Sequence, residues 1–482
     1  MSGTYLWSGL GLIAPLHARV SGELVAGVHG ISIDTRTLEQ GDLFFAIKGD
    51  NSNGHDYVAR AFEKGAAACV VDEDHAAGLT GTGCLFIVRD VLAAMENLGR
   101  AARARSKAKI IAVTGSAGKT STKEALRVVL AGFGVTHASL ASYNNHWGVP
   151  LSLARMPANA EFGIFEIGMN HADEITPLVA MVQPHVAIVT TVAAVHLEHF
   201  ASLDAIADAK AEVFSGLVSG GVAIINADIP QWGRLTKVAG EHAGHIMSFG
   251  EADFANLRMK VISLHAEHSD VIAQIINREV SFRVGAPGKH LAMNALAVLG
   301  AAKAVGVDVE QAATLLAGFA APKGRGERHE LAIGNGSFVL IDESYNANPA
   351  SMRAALALLG AASVGVAGRR IAVLGDMLEL GPQAATLHKD LADALRDGKV
   401  DLLYAAGPMM KHLFDAVPDA MQGEWHEKAA ELQAPLFDNI QPGDVVMVKG
   451  SNGSRMGPLV AAMKEHFIAP SDSSAAQAMV QE

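Results

Sequence analysis

Residues 109–122, KIIAVTGSAGKTST, decide how the chain is read. The apolar run KIIAV reads as a short strand, TGSAG as a glycine-turned loop, and the residues from near Thr120 onward as a helix. Such a loop aims successive backbone N–H groups at one point, beside the positive end of a helix dipole. Gly115 and Gly118 let the backbone approach a bound anion, Lys119 reaches terminal phosphates, and the Thr120 hydroxyl suits Mg²⁺. With Ser116, Ala117 and Ser121 these are the candidate phosphate-binding residues. The strict pattern for these loops has a further glycine where this chain carries Val113, so the loop is a shortened one. An ordinary Gly/Ser turn is the plain alternative; strand, glycines, Lys-Thr and helix in register weigh against it.

Composition sets the class. A chain of 482 residues has length for several domains and several cores. With 50% apolar and 18% charged residues, it reads as a soluble, Ala- and Gly-rich α/β enzyme. Lys plus Arg total 38 against 50 Asp plus Glu, a formal charge of −12, which argues against a nucleic-acid partner. A phosphorylated ligand needs only a local cluster of donors and stays open. Cys69 and Cys84 lie in apolar runs without metal-type spacing and read as buried free thiols of a reducing compartment. The first residues lack a basic region before their short apolar run, a poor signal peptide. The 15-residue apolar stretch 354–368 is too short to span a bilayer. A cytoplasmic monomer with no membrane partner is the expectation.

Along the chain, VHGISIDTR and DLFFAIKG, a helix-like stretch at 57–65, the strand AAACVV and a helix at 92–109 form a small α/β module. Its polar residues Ser32, Asp34, Thr35, Arg36 and Asn53-Gly54-His55 read as turns when taken alone. From Lys109, the strands KIIAV, FGIFEIG, VAIVT and VAIIN alternate with helical stretches, which implies a mostly parallel sheet with ligands at the strands' carboxyl ends. NLRMKVISL, DVIAQIIN and EVSFRV suggest an added antiparallel sheet, followed by the helix HLAMNALAVLGAAKAV. AAPKGRG, 320–326, marks a boundary, beyond which SFVLIDESYN, RIAVLGDM, DLLYAAG and DVVMVKG begin a second doubly wound unit. The expected division is 1–108, 109–321 and 322–468, with a polar, disordered tail at 469–482.

Further chemistry sits near the ends of these strands. Glu166 closes FGIFEIG, His196 follows VAIVTTVAAV, and Lys210 lies early in a helical pattern. Hard oxygen ligands from Thr120 and Glu166 suit Mg²⁺ bridging ATP phosphates. His196 and His199, three residues apart, also fit a zinc pair, although no third ligand is evident nearby. His290 and Asn294 share a helix face and could hold an adenine edge, or simply cap a helix start. Arg325 stands at the boundary, where its guanidinium could reach a phosphate as domains close. Asp342 ends the strand VLID and opens IDESYNANP, a loop dense in hydrogen-bonding groups.

TGSAGKTS, NNHWGVP, EIGMN, HLEHF, AKAEVF, GKHLAMNALA, GRGERHE and DESYNANP, in that order, make the chain resemble the ATP-dependent Mur ligases of peptidoglycan synthesis. DESYNANP is the specific signal, because sister ligases carry different residues there; no DNPR is present. Folylpolyglutamate synthases share the phosphate loop but lack a module like 1–108. The resemblance implies three domains: an N-terminal UDP-substrate module, a central ATP-binding domain and a C-terminal Rossmann-like domain. It implies ATP-dependent joining of D-alanyl-D-alanine to a UDP-N-acetylmuramoyl-tripeptide through an acyl phosphate. It places Lys119 on the β- and γ-phosphates, Thr120 and Glu166 on one Mg²⁺, and His196 with a carbamylated Lys210 on a second. It further implies Asn294 at adenine, Arg325 at the phosphates, Asp342 at ribose, and Thr35 and Arg36 at the uridine diphosphate. Asn144 and Asn145 would contact the sugar-linked part, and Asn346 and Asn348 the dipeptide. Glu343, where the family often has Asp, and His146-Trp147 are departures. A sister ligase adding another amino acid, or a nucleotide-dependent binding switch, are the competing readings.

Overall fold

Val113 and the strand around it are apolar on both sides, the pattern of a strand covered on both faces. In the computed structural model, which describes residues 5–49, 52–79, 81–140, 142–195 and 197–467, that strand (Lys109–Thr114) lies inside a nine-stranded sheet. From one edge the order is Thr136–Ala138, Phe162–Glu166, Lys109–Thr114, Val186–Val189, Val222–Asn226 and His245–Gly250, all parallel. The stretch expected as an added antiparallel sheet forms Leu257–Leu264, Ser269–Ile275 and Arg278–Val284. These three pair antiparallel with one another but extend the same sheet, because Leu257–Leu264 joins His245–Gly250 through a short parallel register. Strand His245–Gly250 escapes the sequence reading because its first residues are exposed and carry no apolar run.

Helices cover both faces. Ala125, Leu126, Val129 and Leu130 form the inner stripe of Lys119–Ala131, which packs beside Lys289–Ala304 over one face. Ile175–Val182, Leu203–Ala211 and Trp232–His242 cover the other. The parallel registers pair Glu166 with Val113 and Val189 with Thr114, so the loops that follow these strands open on one side of the sheet. That side carries the site.

The N-terminal part holds a five-stranded sheet of Arg19–Ser21, Cys84–Val88, Ala68–Asp72, Asp42–Phe45 and Gly30–Ser32. Cys69 and Cys84 are buried and free. Its core is completed from outside: Leu151 and Ala154, on the helix Gly148–Ala154, pack among Trp7, Leu12, Met95 and Leu98. Trp7 donates its indole N–H to the Ala154 carbonyl at 3.0 Å, and the Arg105 guanidinium lies 3.4 Å over the same ring. The asparagine loop 144–147 is thus held between two cores.

The C-terminal part is a six-stranded sheet of Glu327–Ile333, Gly336–Glu343, Val445–Lys449, Arg370–Gly375, Leu402–Ala406 and Gln422–His426, antiparallel only at the first pair. Apolar clusters fill both of its faces. The leading strand, ERHELAI, is missed by an apolar search because most of its residues are only half-buried. Gly324 (φ 71°) and Gly326 (φ 104°) turn the chain between the two large sheets. Of the apolar run 354–368, residues 354–361 end the helix Pro349–Ala361 and the rest follow it, and no helix among the described residues is long and apolar enough to cross a membrane.

Leu151 is completely buried where the N-terminal core borrows from the central one. Leu151→Ala is expected to lower the unfolding free energy by about 2–5 kcal/mol, read by urea denaturation. A loss below about 1 kcal/mol would mean that the two cores are not joined there.

Candidate active site

Gly115 and Gly118 have positive φ, 149° and 81°. A Cβ on Gly115 would meet Thr190 Oγ1 at 1.9 Å, and one on Gly118 would meet Asn294 Nδ2 at 2.6 Å. The loop is therefore backbone wedged against neighbouring side chains, with no room for more. Thr190 Oγ1 donates towards the Ala117 carbonyl at 2.6 Å, Ser121 Oγ donates to Gly118 O at 3.1 Å, and Ser116 Oγ exchanges hydrogen bonds with the Ala193 backbone. Lys119 Nζ folds back on the Gly115 carbonyl at 2.7 Å. Burial pushes its ammonium below the usual lysine range; nearby Glu166 opposes this and Arg325 adds to it.

Glu166 is 1% exposed and reads its neighbours through both oxygens. Thr120 Oγ1 donates to one at 2.8 Å and Asn144 Nδ2 to the other at 2.7 Å. Ser142 Oγ lies 3.5 Å from Thr120 Oγ1 and accepts from Arg325 Nη2 at 3.4 Å. A hydroxyl and a buried carboxylate side by side are a hard oxygen set that fits Mg²⁺.

Ser116 to Lys119, Ser142, Asn144 and Glu166 line a cavity of about 480 Å³ between the central and C-terminal sheets, while Gly115 and Thr120 stand outside its lining. The C-terminal side contributes Arg325, Glu343, Tyr345, Asn346, Asn348 and Lys449. Arg325 lies 4.1 Å over the Tyr345 ring. Lys449, 2% exposed, donates to Glu343 at 3.1 Å and to the Asn346 carbonyl at 2.9 Å, which fixes the DESYNANP loop from below. The chain is acidic overall, yet Lys119, Arg325 and Lys449 face this one cavity.

Of the expected residues, Ser116, Ala117, Gly118, Lys119, Ser121, Asn144, Glu166, Asn294, Arg325, Asn346 and Asn348 line the cavity together. Asn348 also caps the helix Pro349–Ala361, accepting from Ser351 N at 2.9 Å. Lys210 is 2% exposed; burial, reinforced by the charge of Lys119, holds its amine well below the usual range. His196 lies outside the described residues, and His199 is exposed with its ring 4.2 Å from that of His171. Other expected residues stand apart from the cavity lining. Asn145 Oδ1 accepts from Gly148 N at 2.9 Å, and Asp342 accepts from Ser344 and lies 3.8 Å from Lys464. Thr35 is buried, and Arg36 is exposed and paired with Asp34 at 2.6 Å, within electrostatic reach of Tyr143 beside the asparagine loop. Sequence reasoning missed Ser142, Thr190, Asn226 and Lys449. The last three carry the signal used for Glu166, a polar residue closing an apolar parallel strand.

Three family models match the chain: Mur ligase family, catalytic domain, at 27–142; Mur ligase middle domain at 113–302; and Mur ligase, glutamate ligase domain, at 324–452. The UDP-N-acetylmuramoyl-tripeptide–D-alanyl-D-alanine ligase of Rickettsia prowazekii is 31% identical over 456 residues, 94% of this chain and 99% of its own length. The Escherichia coli protein of the same name is 32% identical over 438 residues, 90% of this chain and 94% of its own. A crystal structure of MurF from Acinetobacter baumannii superposes with a TM-score of 0.81 at 28% identity, covering 95% of this chain and 99% of that one. MurF from Thermotoga maritima in complex with ADP shares the fold, with a TM-score of 0.74 at 22% identity over 90% of this chain and 97% of that one.

Gly118→Ala should weaken binding of a nucleoside triphosphate at least tenfold, because a left-handed non-glycine residue costs about 1–2 kcal/mol before the Asn294 clash is added. Calorimetric titration checks this; unchanged affinity would remove the loop from the nucleotide site.

Proposed function

The chain belongs to the Mur ligase family, and we propose that it joins D-alanyl-D-alanine to a UDP-N-acetylmuramoyl-tripeptide in the cytoplasm, using ATP. One observation carries the reading. Ser116 to Lys119 of the phosphate loop, Glu166 with its hydrogen bond from Thr120, and the asparagines of DESYNANP meet at a single cavity between two domains, with Glu166 rather than Thr120 in its lining.

The chemistry explains why. A carboxylate is a poor acyl donor, since its leaving group would be oxide. Attack of the tripeptide's carboxylate oxygen on the γ-phosphorus breaks the bond to the β-phosphate oxygen, releasing ADP and leaving an acyl phosphate. The dipeptide amine then adds to the acyl carbon, loses a proton, and the tetrahedral intermediate expels phosphate as the amide forms. The protein's part is positioning and charge stabilisation. Lys119 and Arg325 face the β- and γ-phosphates, Asn294 the adenine and Asp342 the ribose. Asp342 would exchange its Ser344 and Lys464 contacts to do so. Thr35 and Arg36 hold the uridine diphosphate, Asn144 and Asn145 the sugar-linked part, and Asn346 and Asn348 the dipeptide. Swinging about Gly324 and Gly326 would close the C-terminal domain and keep water from the acyl phosphate.

Thr120 and Glu166 would hold one Mg²⁺, and His196 with Lys210 a second; the ions supply charge neutralisation as anions converge. A buried lysine amine held low in basicity is disposed to be neutral, the form that takes up CO₂ as a carbamate. Carbamylation would turn a cation that repels Mg²⁺ into an anionic oxygen ligand.

With ¹⁸O in the tripeptide's terminal carboxylate, label is expected in the released phosphate; product without labelled phosphate would overturn the acyl-phosphate route. A panel of amines separates dipeptide addition from a sister ligase, and ATP turnover that requires both carboxylate and amine excludes a binding switch. Lys119→Ala and Lys210→Ala should each abolish ligation, with short carboxylic acids partly rescuing only Lys210→Ala. Full activity of Lys210→Ala, measured by phosphate release, would refute its metal role.

A further inference from the structure

Arg325 reaches the cavity from the C-terminal side, and its head is held between two groups. Its Nη2 donates to Ser142 Oγ at 3.4 Å, and that oxygen lies 3.5 Å from Thr120 Oγ1, in the first turn of the phosphate-loop helix. The guanidinium carbon lies over the face of Tyr345, 4.1 Å from the ring centroid. Among the described residues Arg325 forms no ion pair. The choice of partner matters chemically. A carboxylate would occupy guanidinium N–H donors pairwise and cancel the charge. An aromatic face holds the cation by its π-cloud and leaves the N–H edges for an anion.

The Tyr345 backbone is pinned to the same segment. Its N–H donates to the Gly324 carbonyl at 3.1 Å, and a Cβ on Gly324 would meet Tyr345 Cβ at 3.0 Å. Gly326 N donates to the Asp342 carbonyl at 2.9 Å. The turn that carries Arg325 and the loop that carries Tyr345 therefore form one unit. Tyr345 also leads directly into Asn346 and Asn348, which line the same cavity. The residue is 40% exposed and stands outside the apolar clusters that fill the C-terminal sheet, so packing of the core does not explain it.

We propose that Tyr345 is a positioning residue of the ligase: its ring aims Arg325 at the terminal phosphate of the nucleotide, and its backbone ties that aim to the asparagine loop. The role rests on the ligase reading, in which Arg325 faces the β- and γ-phosphates. Aim counts most at the γ-phosphoryl group, because charge is redistributed there as the acyl phosphate forms. Without the ring, Arg325 keeps its charge but spreads over many rotamers. Each hydrogen bond to phosphate must then offset the ordering that the ring supplies beforehand.

The test uses the full chain with Mg²⁺ and compares, by calorimetry, the binding of ADP with that of a non-hydrolysable ATP analogue. Tyr345→Leu is expected to lower the preference for triphosphate at least about fivefold, whereas Tyr345→Phe, which keeps the ring face, retains it within about twofold. Added to Arg325→Ala, Tyr345→Leu should cost nothing further, since the ring acts only through Arg325. Matching melting curves for the three Tyr345 forms are expected. An unaltered preference in Tyr345→Leu, additive losses in the double variant, or early melting of Tyr345→Leu would overturn the positioning role. These measurements need no acceptor, so a chain that binds nucleotide yet forms no amide sinks the ligase reading while the variants still decide whether the ring aims Arg325.

Discussion

The 2.8 Å hydrogen bond from Thr120 to Glu166 ties the first turn of the phosphate-loop helix to the end of the neighbouring strand. Glu166 is buried, so leaving its carboxylate unpartnered would be costly, and Asn144 completes the set at 2.7 Å. Three segments distant in sequence are thereby fixed around one point. The asparagine loop, which lies between the N-terminal and central cores, is joined to Glu166 through Asn144, and Glu166 to the first turn of the helix through Thr120. The N-terminal module thus packs, around Leu151 and Ala154, against the helix that follows this loop.

Electrostatics follows the same economy. The chain's excess of acid favours solubility and discourages polyanions, while one cavity gathers Lys119, Arg325 and Lys449 against Glu166 and Glu343. Lys449 has a double task. It neutralises Glu343 and props the Asn346 carbonyl, so a buried ion pair sets the shape of a loop that is otherwise exposed at Tyr345 and Asn346. Lys210 is the counter-case, a buried amine whose basicity is lowered by burial and then by the charge of Lys119.

Much of this was legible in the residues. Alternating apolar strands and helices specify a parallel sheet, because only buried strands can be apolar on both sides, and TGSAGKTS specifies its anion cradle, because only glycine tolerates the required φ at 115 and 118. Strand ends pointed to Glu166, and the same rule would have reached Thr190, Asn226 and Lys449. What tertiary structure alone decided is which distant segments meet. The three antiparallel strands extend the central sheet, Leu151 completes another domain's core, and Asp342 turns to Ser344 and Lys464 while its neighbour Glu343 faces the cavity. Periodicity reports which face of an element is apolar. It carries no information on the partner that covers that face, which is set by long-range packing and by the pairing of buried charges.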